Sequence, residues 1–121
     1  MITSAIQGKL AAIIANTYTL VGDEEIVTPY CVHRENGTPI YLKEGMIGYN
    51  YDCEVAVIAD LPDEIETYAA QIITGMESLA GTITSGTTVN TVTFTGDEPD
   101  FDYEDRLYTN ILRFIIETTN R

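Results

Sequence analysis

The chain has 121 residues, 45% of them apolar and 21% charged, with 19 acids against 6 bases and a formal net charge of −13. A single domain over residues 1–121 fits that length, with roughly two thirds of the unfolded surface buried, and the composition argues against a disordered chain. Phosphate backbones repel such a surface, which disfavours non-specific nucleic-acid binding, and no stretch reaches the ~18 consecutive apolar residues of a membrane span.

In chain order, Ile2, Ile6, Leu10, Ile13 and Ile14 recur at three- and four-residue steps and predict a first helix over about 3–16. Thr3 or Ser4 is placed to cap its start and Asn16 to end it. Gln7, Gly8 and Lys9 interrupt the apolar residues, unlike a signal peptide, and the chain is expected to stay inside the cell that makes it. The segment TLVGDEEIVTP reads as a loop with room for a short extended piece. Pro29 then suits a strand start, Tyr30–Arg34 reads as a strand, and Glu35-Asn36-Gly37 as a turn. Residues 39–47 admit two readings, a short strand or an arm turning at Glu44-Gly45.

Over residues 49–59, Tyr49, Tyr51, Cys53, Val55 and Val57 alternate with Asn50, Asp52 and Glu54, and apolar Ala56 and Ile58 then place the strand inside a sheet. Asp60, Pro62, Asp63 and Glu64 form a helix start. Its buried stripe is Ile65, Ala69, Ile72, Met76 and Leu79, joined by Tyr68 and Ile73, with Gly81 as the stop. The Thr- and Val-rich stretch predicts a strand near 88–95 with Val92 and Phe94 inward. Residues 97–105 read as an acidic loop, and a last strand runs over about 106–118 with Leu112, Phe114 and Ile116 inward. The expected fold is α+β, a mostly antiparallel four- to five-stranded sheet with two helices on one face, in the order α-β-(β)-β-α-β-β.

Little chemistry is on offer. His33, the one histidine, stands in a strand with no nucleophile in a triad setting, and reads as structural or surface. Cys31 and Cys53 read as buried free thiols, the alternative being one cross-strand disulfide. With His33 they supply three ligands where a structural zinc site takes four. No phosphate-binding glycine loop is present. Asp97, Glu98, Asp100, Phe101, Asp102, Tyr103, Glu104 and Asp105 form the densest feature. Three readings of it stand: a solvated hairpin loop, an interface or channel-facing loop, or a metal site, the last without the glycine and distal glutamate of a calcium loop. No catalytic, cofactor or metal residue is assigned.

The layout itself carries a resemblance. An N-terminal helix precedes Thr28-Pro29-Tyr30-Cys31-Val32. The strand Tyr51–Asp60 runs into the helix Glu64–Leu79, and the closing strand carries Leu107-Tyr108-Thr109-Asn110-Ile111-Leu112-Arg113-Phe114. Over nearly its whole length the chain resembles the tail completion, or tail terminator, proteins of long-tailed bacteriophages, departing in the longer and less regular segment 35–48. The resemblance rests on layout and spacing and implies a small α+β protein working as a hexameric ring in the virion tail or neck, assembled in the host cytoplasm. Such a ring caps the tail tube, joins it to the head connector, and lets DNA pass without specific binding. Its partners would be itself, tube and connector proteins, with no membrane and no cofactor. On that reading the acidic run, and with it Asp23, Glu24 and Glu25, is expected to face the lumen or a neighbouring subunit. Competing readings are another neck protein such as a head-completion stopper, a non-catalytic adaptor recruiting a strand by a sheet edge or the 39–48 arm, and a small enzyme using paired acids.

Overall fold

A computed structural model of the chain describes residues 2–14, 17–19, 28–43, 45–84 and 86–120. Among these residues two helices, α1 (Ile2–Ala11) and α2 (Pro62–Glu77), accompany six strands: β1 (Thr17–Thr19), β2 (Tyr30–Leu42), β3 (Gly45–Ala59), β4 (Ile83–Thr84), β5 (Thr87–Asp102) and β6 (Leu107–Asn120). The strands form one sheet in the order β1-β2-β3-β6-β5-β4. The four long strands are antiparallel throughout, and short β1 lies parallel to β2 at one edge. The fold is therefore the expected α+β arrangement, with β1 and β4 as short additions at its margins.

Strand alternation decides which face is covered. Cys31 and His33 of β2, Cys53, Val55 and Val57 of β3, and Leu112, Phe114 and Ile116 of β6 point to one side and are buried. Ile2, Ile6, Leu10 and Ile14 from the N-terminal segment, and Ile65, Ala69, Ile72, Met76 and Leu79 from α2 and the turn after it, close over that side. Val92 and Phe94 pack against the same core, as their spacing predicts.

Several expectations need correction. The first helix ends at Ala11 rather than near 16, and its proposed stop, Asn16, lies outside the described residues. Asp60 does not cap α2: the N-cap position is Leu61, which offers no side-chain bond, and the start rests on Pro62 with Asp63 and Glu64 in the first turn. Gly81 does take a left-handed conformation (φ 86°), and its N–H donates to the Val89 carbonyl at 2.7 Å.

The largest correction concerns Glu35-Asn36-Gly37. These residues continue β2, pairing with Cys53, Asp52 and Tyr51, and the chain reverses only between Leu42 and Gly45. Gly37 is a packing glycine here, not a turn glycine: a Cβ on it would lie 2.8 Å from the Tyr51 ring. The segment 39–47 is accordingly the outer part of a β-hairpin arm. The acidic run is likewise not a loop over its whole length. Asp97 to Asp102 pair with Leu112 to Leu107, leaving only residues 103–106 as the turn.

Candidate interaction surface

The two long hairpins point in opposite directions. Pairing places the β5–β6 turn beside the end of β3, where Ala59 meets Tyr108, and places the β2–β3 turn beyond the other end of β6. Each tip has its own chemistry. On the β2–β3 arm, Tyr41, Leu42 and Met46 are 67%, 58% and 41% exposed. On the β5–β6 tip, Tyr103 is 84% exposed among acids.

The register explains how the acids are displayed. A bulge between Phe94 and Gly96 resets the alternation, so Glu98, Asp100 and Asp102 line up on the sheet face away from the helices, opposite Ile111, Thr109 and Leu107. Asp97 turns to the helix side, where its Oδ2 accepts from Asn110 Nδ2 at 3.1 Å. Phe101 shares that side and anchors the tip, 4.6 Å from the Tyr108 ring centre and edge-on to Tyr103 at 4.9 Å. Asp102 Oδ1 accepts the backbone N–H groups of Glu104 (2.9 Å) and Asp105 (3.3 Å), and Arg106 closes the turn at φ 56°. Burial, and after it the negative charge of Asp105, holds the Tyr30 hydroxyl above its usual range. Asp97 apart, the acids are thus displayed on the outer face and in the turn, and among the described residues no group of His, Cys, Asp and Glu is arranged to hold a metal ion.

Across the open face runs an ion ladder. Glu54 accepts from Arg34 Nε at 2.8 Å and from Arg34 Nη2 at 2.5 Å, meets Arg113 Nε at 3.2 Å, and Arg113 Nη1 reaches Glu98 at 3.3 Å. The Arg34 hydrogen bond is the main reason the Glu54 carboxyl sits below the usual carboxylate range, reinforced by the charges of Arg34 and Arg113. Beside the ladder, Val32, Ala56 and Ile111 line a shallow apolar hollow.

Beneath α1 lies a buried polar chain that the sequence reading did not anticipate. His33 is 1% exposed, its Nδ1 is 2.7 Å from Glu35 Oε2, and its Nε2 is 2.6 Å from Gln7 Oε1. Gln7 Nε2 donates to the Thr17 carbonyl at 3.0 Å, which fixes the amide and makes His33 Nε2 a donor. One proton must then lie between Nδ1 and Oε2, since both atoms would otherwise be acceptors. Cys53 Sγ donates to Glu35 Oε2 at 3.9 Å, and Cys31 Sγ lies 3.2 Å from Thr17 Oγ1. Both thiols are free and buried, and burial is the first cause of their raised pKa values, with negative Glu35 adding to it at Cys53. A disulfide is ruled out by register: Cys31 faces Val57, four residues from Cys53, a separation of roughly 13 Å where about 6 Å is needed. The available signal was the period-two series Cys31, His33, Glu35, which the Asn-Gly pair at 36–37 obscured.

The predicted residues Asp97, Glu98, Asp100, Phe101, Asp102, Tyr103, Glu104 and Asp105 are thus together on one hairpin, but divided between two faces and a turn. Asp23, Glu24 and Glu25 lie outside the described residues. Two helices on one face of a mostly antiparallel sheet, with display hairpins at both ends, define an α+β fold. No protein-family model matches the chain, and no curated protein matches it. Among solved structures it is similar to a chain described as "Virion of native gene transfer agent (GTA) particle", with 19% identity, a TM-score of 0.65, and coverage of 91% of this chain and 84% of that one. At that identity the likeness is one of fold.

Proposed function

We propose that this chain is a non-catalytic structural protein of a phage-like particle, a tail terminator that forms a hexameric ring, caps the tail tube and joins it to the head connector. The supporting observation is the fold it shares, over 91% of its length, with a chain of a gene transfer agent virion, which agrees with the layout resemblance read from the sequence. The surface chemistry suits the role. An acid-and-aromatic tip and an apolar arm point in opposite directions, as two-ended contact with unlike neighbours requires, and a head-to-tail ring closes when the rotation between copies divides a full turn.

In this reading Glu98, Asp100, Asp102, Glu104 and Asp105 face the channel or the adjoining subunit. An acidic wall repels the phosphate backbone, so DNA passes without being held. The test is removal of the gene followed by electron microscopy of the particles. Overlong or headless tails are expected. Normal infectious particles would remove the role, and an assembled ring carrying these acids on its outer rim would remove the channel assignment.

A further inference from the structure

The N-terminal end of α1, the outer half of the β2–β3 hairpin, and Thr87 of β5 with Asn120 of β6 border a half-open hollow of about 490 Å³, lined also by Ile2, Thr3, Glu35, Gly37, Tyr49 and Tyr51. It lies on the helix side of the sheet, away from the acidic tip. Glu35 is the unusual member. Its side chain is 2% exposed, yet only Oε2 is engaged, by His33 and Cys53, and the buried Oε1 has no hydrogen-bond partner among the described residues. Buried carboxylate oxygens are normally satisfied, so an unpaired one calls for an explanation, a group supplied from outside being one. Five of the six bases lie within the described residues. Arg34 and Arg113 are committed to Glu54 on the opposite face, and none of the five pairs with Glu35.

The walls suit a cation. Tyr49 and Tyr51 stack with ring centres 5.5 Å apart and planes inclined by 28°, and aromatic faces attract positive charge. Gly37 lets the Tyr51 ring close over β2, since a Cβ there would collide with it at 2.8 Å. The Gln7–His33 bonds hold the carboxylate from behind. We propose that this hollow receives an arginine or lysine side chain of a partner protein, with Glu35 as its counter-ion and Tyr49 and Tyr51 as its aromatic walls.

The site stands on the isolated chain and does not depend on the virion reading, so either can fail alone. The probe is N-acetyl-arginine amide, with N-acetyl-citrulline amide as the neutral isostere, titrated into the full chain and followed by NMR. Saturable shifts are expected at Tyr49, Tyr51, His33 and Thr3 with the arginine compound and none with citrulline. Glu35→Gln, which keeps the shape and can still meet His33, should weaken binding at least tenfold. Tyr49→Ala, outside the buried polar chain, should weaken it several-fold and serves if Glu35→Gln does not fold. Equal binding of both compounds, no saturable shift, or binding seen only after Arg121→Gln, which would assign the hollow to the chain's own terminus, would each overturn the proposal.

Discussion

At the scale of single residues, two positions give sharp expectations. Glu54 is held low chiefly by its hydrogen bond to Arg34. Its folded pKa lies below the unfolded value of about 4.3, so the stabilisation is complete above that value and disappears as pH falls through the folded one. The pair faces solvent, with side-chain exposures of 56% and 27%, so Arg34→Met should cost only about 0.2–1 kcal/mol at neutral pH. The same change should move the Glu54 carboxyl titration, followed by carbon-13 NMR, upward. An unmoved titration would show that Arg34 does not set it. Gly48 is the opposite case. A Cβ there would lie 2.0 Å from the Thr118 carbonyl oxygen, a backbone atom that cannot swing aside. Thr118 Oγ1 also bonds both the N–H and the carbonyl of Tyr49, at 3.2 Å each. Gly48→Ala should therefore cost about 3 kcal/mol, read as a shifted denaturation midpoint, whereas Gly8→Ala, with open space around it, should not destabilise.

At the scale of elements, the helices were legible and the hairpins only partly so. The stripes Ile2, Ile6, Leu10 and Ile65, Ala69, Ile72, Met76 follow from one-dimensional periodicity, and all are buried. The hairpins depend on register, which is a relation between distant segments. Asn36-Gly37 is a turn pair by local preference, yet thirteen residues of β2 run through it because Tyr51 across the ladder fills the space above Gly37. The acidic run misleads in the same way: Pro99 and the carboxylates read as loop, but an outer strand tolerates both. Glu35 was invisible as a site residue because its burial is made by α1, through Gln7 and His33. That dependence is testable. Leu10 is fully buried, so Leu10→Ala should cost about 2–5 kcal/mol. Loosening α1 should also speed amide exchange in β1 and the first half of β2, while the tip of the β5–β6 hairpin, outside the main contacts of α1 with α2, β1 and β2, keeps its protection. Uniform acceleration across all strands would show that α1 is not a separable layer.

At the scale of the whole molecule, the question is how copies could meet. The sheet margins do not invite strand addition: β2 carries Pro39 and a bulge at Ile40/Tyr41, while β5 carries Pro99 and bulges at Val89/Thr91 and Phe94/Gly96. Such features guard a sheet against edge-to-edge pairing. Contact between copies in the proposed ring then falls to faces and hairpin tips, where charge matters most. With a net charge of −13 per chain, closing a ring brings like charges together, and repulsion between exposed acids reaches about 10 Å at 0.1 M salt and about 3 Å at 1 M. The isolated chain should therefore sediment as a monomer in dilute buffer and move toward the ring as salt rises. If the β5–β6 acids supply that repulsion, the combined change Glu98→Gln, Asp100→Asn, Glu104→Gln and Asp105→Asn should shift assembly to lower salt. Asp102 is left intact in it because its Oδ1 holds the turn. Neutralising Asp63, Glu64 and Glu66 on α2 serves as the comparison. A larger shift from the α2 set would place the subunit contact on the helical layer, and assembly that weakens with salt in both sets would contradict the repulsion argument altogether.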